Sequence, residues 1–194
     1  MRVVRFVPVM LLVVPVVALG QGAAAPAPPP TPPPPPAGSI WAADPKDVGS
    51  LDAIMKAVYD VISGPQGQKR NWERMHSLFV PNARLGPAVQ LPDGRVEARQ
   101  GTLDEWIAGA ERGFAQTGFY EKEIARRAEQ FGRIAHVFST YESKRTPGDA
   151  TPFARGINSF QLLNDGVRWW VVSIYWDAER PGNKIPEKYL QSPQ

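Results

Sequence analysis

Residues 154–177, ARGINSFQLLNDGVRWWVVSIYWD, decide the fold, because they have the pattern of one long β-hairpin. Aromatic and β-branched side chains dominate both halves, as half-buried pleated strands require. The Asn164-Asp165-Gly166 stretch between the halves is a turn signal. We therefore predict two antiparallel strands, Ala154–Leu163 and Val167–Asp177.

The turn sets which side chains share a face of this hairpin. If Asp165-Gly166 is a two-residue turn, Asn164 pairs with Val167, and counting outward pairs Leu162 with Trp169. A three-residue turn with a bulge is the alternative, and it would shift the pairing by one residue. The two-residue turn gives one face that is apolar near the turn and polar further along, as the floor of a ligand pocket is. This predicted floor has Leu162, Trp169, Phe160 and Val171 as its apolar part and Asn158, Ser173 and Tyr175 as its polar rim.

The opposite face of the last strand carries a row of large apolar side chains. In this pairing the row consists of Trp170, Val172, Ile174 and Trp176. Monomers rarely expose such a patch, and burying each large side chain stabilises by roughly 1.5–3 kcal/mol. We therefore predict a homodimer in which a second copy covers the row. The alternative cover is the C-terminal tail Pro181–Gln194, which carries Ile185, Tyr189 and Leu190.

Helices and a second hairpin precede this stretch. Phe119–Glu129 and Arg133–Ser143 have the pattern of strands. Apolar residues recur at helical spacing in three segments, and Ser50 and Thr102 are plausible N-caps of two of them. Because helices and strands are segregated, we predict an α+β fold in which three helices pack on a curved, mainly antiparallel sheet. The three predicted helices span residues 51–62, 71–79 and 103 to about 118.

Two motifs carry a resemblance to a known family. Residues 71–83 read NWERMHSLFVPNA, and Asp165-Gly166 is followed by Trp169–Val172. The first stretch is similar to the second-helix signature of the nuclear transport factor 2-like (SnoaL-like) superfamily, and the second is similar to its last strand. Over residues 46–180 the resemblance implies a cone-like domain with a pocket between the helices and the concave sheet, and often a homodimer. The superfamily includes isomerases, dehydratases, cyclases, hydrolases and non-catalytic binders, so the resemblance assigns no catalytic residue.

Several side chains are candidates for a site. His136, Tyr175 and Asp177 are the candidates for catalysis, since imidazole, phenol and carboxylate groups can serve in acid–base chemistry. For each of them an ordinary structural role is the alternative, as it is for His76, Tyr141 and Glu142. On the third helix, Trp106 and Phe114 are expected to roof the pocket. The complete predicted ligand pocket is Trp106, Phe114, Asn158, Phe160, Trp169, Val171, Ser173 and Tyr175.

Composition excludes several classes of function. The chain has no Cys, which excludes disulfides, thiol catalysis and thiolate metal sites. The two His residues are far apart in sequence and no carboxylates stand at ligand spacing, so we predict no metal site. The net charge of +3 falls to +1 without Arg2 and Arg5, which leaves 20 basic and 19 acidic residues. We therefore predict no nucleic-acid partner. Since no phosphate loop or dinucleotide fingerprint is present, we also predict no cofactor.

The N-terminal part differs from the rest. Met1–Arg5 is positively charged, Phe6–Leu19 is apolar, and Ala18-Leu19-Gly20 offers a cleavage site, so we predict a signal peptide over 1–20. An uncleaved N-terminal membrane anchor is the alternative. Nine of the 21 prolines lie between Pro26 and Pro36, which predicts a disordered, proline-rich spacer over 21–43. A single domain over 44–180 and a tail over 181–194 complete the organisation.

These features predict an exported protein, secreted or periplasmic, without stable membrane insertion after signal cleavage. The function they favour is binding of a small apolar or partly polar molecule in a hydrophobic pocket. The alternative is a cofactor-free enzyme of the isomerase, dehydratase or hydrolase type, with acid–base residues in the same pocket.

Overall fold

The computed structural model describes residues 42–191. The predicted signal peptide lies outside the described residues, as does the predicted spacer as far as residue 41. Four α-helices are described: α1 (Pro45–Val48), α2 (Leu51–Ile62), α3 (Trp72–Leu78) and α4 (Leu103–Gln116). The predicted count of three helices omitted α1, a single turn that Asp44 caps by accepting from the amide of Lys46.

The longer helices begin where their caps predict. The Ser50 side chain accepts from the Ala53 amide at the start of α2. At the start of α4, Thr102 and Glu105 form both hydrogen bonds of a capping box. These local bonds fix the first turns of the two helices that pack closest to the site described below.

In the part of the chain that the structure describes, seven strands form one open sheet. The order across the sheet is β2-β1-β7-β6-β5-β4, and β3 pairs with β1. Neighbouring strands are antiparallel except β1 and β7, which are parallel. The predicted α+β class with a mainly antiparallel sheet is therefore confirmed. The strands are β1 (Phe79–Gln90), β2 (Val96–Ala98), β3 (Gly101–Thr102), β4 (Tyr120–Phe131), β5 (Ile134–Lys144), β6 (Ala154–Asn164) and β7 (Trp169–Ala178).

The two faces of the sheet are distinguished along β5. Its odd-numbered residues, such as Val137 and Tyr141, are buried on the side of the helices, which we call the inner face. The even-numbered residues, such as His136 and Phe138, lie on the outer face. The hydrophobic core lies between the inner face and α2, α3 and α4. Among residues 42–191, no helix is both long enough and apolar enough to cross a membrane.

The predicted pairing of β6 with β7 is wrong. Asn164 pairs with Trp169, which leaves a four-residue loop, and Leu162 pairs with Val171 rather than with Trp169. The loop is held by side chains: Asp165 Oδ1 accepts from the amides of Val167 and Arg168, at 2.7 and 2.8 Å. These bonds stabilise a wider loop than the two-residue turn that the Asp-Gly pair favours.

A bulge in β7 then changes which residues face inward. Leu162 pairs with Val171 and Gln161 pairs with Ser173, so Val172 is an extra residue in the ladder. Beyond this bulge the alternation is reversed, because an inserted residue exchanges the faces of a strand. The prediction that Ser173 and Tyr175 lie in the pocket is therefore wrong, as is the prediction that Ile174 and Trp176 point outward. Phe160 pairs with Ile174 and Asn158 pairs with Trp176, all on the inner face.

The C-terminal segment 180–190 covers part of the outer face. The Tyr189 ring lies 5.5 Å from the Phe138 ring, centroid to centroid. Arg127 Nε donates to the carbonyl oxygen of Lys188 at 2.6 Å, and Thr140 Oγ1 donates to the carbonyl of Tyr189. The C-terminal tail, which was the alternative cover predicted from the sequence, thus lies on the part of the outer face that β4 and β5 form.

Candidate ligand-binding site

An inner cavity of about 460 Å³ lies between the helices and the inner face of the sheet. Residues of α2 and α4, with Met75 of α3, form its helical side, and β4, β5, β6 and β7, with Leu85 of β1, form its floor. Its lining is strongly aromatic and contains few polar groups, as is typical of small-molecule sites. Eight aromatic residues contribute: Tyr59, Trp106, Phe114, Phe119, Tyr141, Phe153, Phe160 and Trp176.

The residues predicted for the pocket fall into three groups. Trp106, Phe114, Asn158 and Phe160 line the inner cavity. Trp169 and Val171 are buried in the core and are not part of the lining. Ser173 and Tyr175 lie on the outer face, because of the bulge in β7.

The three predicted catalytic residues all lie on the outer face. His136 Nε2 is 3.2 Å from the Ser159 hydroxyl oxygen. Asp177 accepts from Asn183 Nδ2 at 3.1 Å and pairs with Arg180. Tyr175 and Asp177 line a second, smaller cavity of about 270 Å³ beneath the C-terminal segment. The sheet therefore separates these side chains from the inner cavity, which none of the three lines.

The other titratable candidates divide in the same way. His76 pairs with Asp104 at 3.1 Å, and Glu142 pairs with Lys122 at 3.1 Å, and none of these four residues lines the inner cavity. Tyr141 does line it. Of the six side chains considered for acid–base chemistry, Tyr141 alone reaches the inner cavity.

The carboxyl group of the inner cavity belongs to Glu121, which was not predicted from the sequence. Glu121 is on β4 and pairs with Ser143 of β5. The Ser143 hydroxyl donates to Glu121 Oε2 at 2.7 Å, and Asn158 Nδ2 lies 3.4 Å from Oε1. Burial raises the pKa of Glu121 to about 7, although both hydrogen bonds act in the opposite direction. This carboxyl group therefore changes between its protonated and its ionised form near neutral pH.

A chain of hydrogen bonds holds Asn158 in place. Its Nδ2 donates to Tyr59 Oη at 3.1 Å, and Tyr59 Oη is 2.6 Å from Ser139 Oγ. Ser139 donates in turn to the carboxylate of Glu123. Because Ser139 gives its proton to Glu123, Tyr59 donates to Ser139. Burial raises the pKa of Tyr59, so its phenol stays protonated in this chain.

Tyr141 places a second phenol beside the inner cavity. Burial, and then the charge of Glu121, raise its pKa. The strand beside it carries Gly156, where a Cβ atom would lie 2.6 Å from Tyr141 Oη and 2.4 Å from the carbonyl oxygen of Asp177. Glycine therefore makes room for the Tyr141 ring. Within residues 42–191 the Tyr141 hydroxyl has no hydrogen-bond partner, which leaves it available to a bound molecule.

The sequence offered only an indirect signal for Glu121. The stretch YEKEIARRAEQF of β4 is highly charged, and nothing in it separates Glu121 from its acidic neighbours. The signal lay in polar residues among buried positions: Ser139 and Ser143 are at inner-face positions of β5, and Tyr59 interrupts the apolar side of α2. Of these, Ser143 is a direct partner of Glu121. Buried polar side chains need hydrogen-bond partners, which is a reason to search for them.

Aromatic rings and one carboxylate form the rim of the inner cavity. Phe153 is 45% exposed, and the Arg145 guanidinium lies 3.6 Å from the centre of its ring. Glu105 is exposed, and its Oε2 accepts from the Thr102 amide at 2.7 Å. For the residues between 42 and 191, no group of three or more His, Asp or Glu side chains could hold a metal ion.

Solved structures similar to this chain include three NTF2-like proteins of unknown function. One is from Silicibacter pomeroyi, with a TM-score of 0.46, 17% identity, and coverage of 68% of this chain and 94% of that chain. Another, from Shewanella baltica, has a TM-score of 0.44, 16% identity, and coverage of 66% and 89%. The third, from Methylobacillus flagellatus, has a TM-score of 0.43, 17% identity, and coverage of 68% and 95%.

No family model and no curated protein matches the sequence. The structural likenesses concern the fold alone and assign no activity. These structures carry the name of the superfamily whose second-helix signature residues 71–83 resemble.

Proposed function

We propose that this protein binds a small, largely apolar molecule in the inner cavity, and that Glu121, Asn158 and Tyr141 hold its polar group. The observation that carries the proposal is a cavity of about 460 Å³ whose aromatic lining surrounds the Glu121 carboxyl group. A carboxyl group is costly to bury unless hydrogen bonds compensate. Ser143 and Asn158 supply two of these, and a polar group on the ligand would supply more.

A filled cavity is the test of this proposal. Ala110 of α4 lines the inner cavity, whereas Ala108 on the same helix is exposed and does not line it. Protein purified from its native source is analysed by native mass spectrometry for a bound molecule. We expect the molecule on the wild type and on Ala108→Phe, and its loss from Ala110→Phe. Equal occupancy in both variants would place the bound molecule elsewhere and contradict the proposal.

The second candidate function is cofactor-free proton transfer, and the pKa of Glu121 favours it. Because burial raises this pKa to about 7, the carboxylate is a competent general base at neutral pH. The Tyr141 hydroxyl lines the same cavity and can donate to an oxygen atom that gains charge. Together the two groups suit removal of a proton from a carbon atom beside a carbonyl group.

Deuterium exchange tests this second function directly. In heavy water, 2-tetralone bound in the cavity would exchange the protons next to its carbonyl group, which NMR detects. We expect Glu121→Gln to abolish the exchange and Glu105→Gln, at the rim, to retain it. A wild-type exchange rate equal to that of buffer alone would leave binding as the function.

A further inference from the structure

From the charges around the inner cavity, we infer that its ligand is an apolar amine, bound as the ammonium ion by Glu121. The inference rests on the proposed binding function and adds the chemical class of the ligand. Three features carry it: the sign of the charged groups, the aromatic lining, and the unused hydrogen-bonding capacity of Glu121.

Among the residues that the structure describes, all charged side chains that line the inner cavity are acidic. Glu121 lies at its floor and Glu105 at its rim, and no Lys, Arg or His of residues 42–191 lines it. The nearby cations Arg70 and Arg145 stack on the rings of Phe114 and Phe153, at 4.8 and 3.6 Å, and do not line the cavity. An anionic ligand would thus face two carboxyl groups without a counter-charge, whereas a cation is favoured by both.

The aromatic lining suits the two halves of such a molecule. Aromatic faces attract ammonium groups, and aromatic surface also buries a hydrocarbon body. Tyr141 lines the cavity together with Glu121, so an ammonium group at this carboxylate has an aromatic ring nearby. Trp106 and Phe114 of α4 are available to the hydrocarbon part.

Glu121 retains hydrogen-bonding capacity for the ammonium group. Each carboxylate oxygen can accept about two hydrogen bonds. Oε2 accepts one from Ser143, and Oε1 accepts one from Asn158, so each oxygen has capacity left. Glu105 is a weaker anchor, because it is exposed and its Oε2 already accepts from the Thr102 amide. The deeper carboxylate is therefore the one that selects the amine.

The affinity of a neutral ligand would change with pH in the opposite direction to that of an ammonium ion. An ammonium ion requires ionised Glu121, so its affinity rises as the pH rises through about 7. An alcohol or ketone that accepts from the protonated carboxyl group binds less tightly over the same range. The other titratable groups that line the inner cavity keep their protonation state over this range. Tyr59 of α2 and Tyr141 of β5 have raised pKa values, and the hydrogen bond to Thr102 lowers the pKa of Glu105 on α4.

Three probes of similar shape test the inference: 1-naphthylmethylamine, 1-naphthalenemethanol and 1-naphthoate. Their affinities for the full chain are measured by titration calorimetry between about pH 6 and about pH 8. At the upper pH we expect the amine to bind at least about tenfold more tightly than the alcohol, as a charge-assisted hydrogen bond allows. Its affinity should rise with pH, and the naphthoate should be the weakest of the three.

Two matched variants assign the effect to one carboxyl group. Glu121→Gln should lower the amine affinity by about tenfold and remove its pH dependence. Glu129→Gln should retain both, because Glu129 is an exposed carboxylate on the same strand as Glu121 and does not line the cavity. The pH dependence of the amine affinity of the wild type tests the inference even if a variant does not fold.

The outcomes separate this inference from the proposed function. An alcohol that binds as tightly as the amine, or an amine affinity that falls with rising pH, overturns the amine and leaves the binding function standing. Amine binding that Glu121→Gln does not change overturns the assignment to Glu121. Absence of binding by all three probes at millimolar concentration overturns the inference and the binding function together.

Discussion

The side-chain nitrogen of Asn158 lies 3.1 Å from the hydroxyl oxygen of Tyr59, although the two residues are 99 positions apart in sequence. The same nitrogen lies 3.4 Å from Glu121 Oε1. One amide group therefore connects α2, β6 and β4 at the floor of the inner cavity. Its orientation depends on the Tyr59 hydroxyl, because this oxygen is itself fixed by Ser139.

Replacement of Tyr59 by Phe tests the hydrogen-bond chain. The change removes the acceptor of Asn158 and a partner of Ser139, while the ring and its packing remain. We expect a loss of about 1–3 kcal/mol in the free energy of unfolding, since buried polar groups lose partners. Urea denaturation measures it. Tyr120→Phe is the control, because within residues 42–191 the Tyr120 hydroxyl makes no hydrogen bond. Equal losses of unfolding free energy in the two variants would show that this chain of hydrogen bonds does not stabilise the fold.

The raised pKa of Glu121 predicts a stability that depends on pH. The folded protein holds this proton up to about pH 7, whereas the ordinary pKa of a Glu side chain is 4.5. Between these two values the native state binds more protons than the unfolded state, so its stability falls as the pH rises. The full difference is at most about 3 kcal/mol.

Glu121→Gln removes this contribution. We expect the variant to gain stability relative to the wild type as the pH rises from about 5 to about 8, with most of the change complete near pH 7. Urea denaturation at several pH values measures the difference between the two proteins. A difference that stays constant over this range would mean that the Glu121 carboxyl group has an ordinary pKa in the folded protein.

Local signals predicted much of the fold. The capping box of Thr102 and Glu105 and the apolar spacing in α2 lie within a few residues, and the helices begin where these signals indicate. The register of β6 and β7 was not predictable in this way. Trp169–Val172 presents a large apolar side chain to both faces, so hydrophobic pattern does not distinguish one pairing from the other. Asp165 and the bulge at Val172 decide it.

The candidate site was less predictable than the fold. Trp106, Phe114, Asn158 and Phe160 were identified from helix and strand periodicity, and they line the inner cavity. Glu121 was missed because its environment is created by distant residues, Ser143 and Asn158, which are 22 and 37 positions away. Periodicity reports which face a residue occupies, but burial of a carboxyl group depends on contacts between elements that are remote in sequence.

Replacement of Phe160 by Ala tests how tightly the floor of the cavity packs. Phe160 is 1% exposed, and its ring lies 6.3 Å from the Tyr59 ring. We expect a loss of about 3–5 kcal/mol, as for other large-to-small changes of a buried Phe. Val172→Ala on the outer face is the control, because Val172 is 38% exposed and should lose little. A small loss for Phe160→Ala would mean that most of the ring faces the cavity and that little of it contacts packed core.

The outer face retains an apolar row that crosses four strands. Phe131, Ile134, Leu163 and Trp170 are successive pairing partners on β4, β5, β6 and β7, so their side chains share this face. Phe131 is 84% exposed and Ile134 is 60% exposed. Because of the bulge, Ile174 and Trp176 do not belong to the row that was predicted from the sequence. Leu163, Ile134 and Phe131 instead continue it from Trp170 across the neighbouring strands. The homodimer remains a prediction, which we now assign to this outer row.

Sedimentation of the purified protein tests the homodimer. Covering Phe131 and Ile134 stabilises by roughly 1.5–3 kcal/mol for each side chain, which favours association of two sheets by this face. We expect a dimer at micromolar concentration, and dissociation to monomers in Ile134→Glu, because a carboxylate in the interface would lose its hydration. Val96→Glu is the control, since Val96 is equally exposed on β2, away from the row, and this variant should remain dimeric. A wild-type protein that stays monomeric at micromolar concentration would exclude this apolar row of the outer face as a dimer interface.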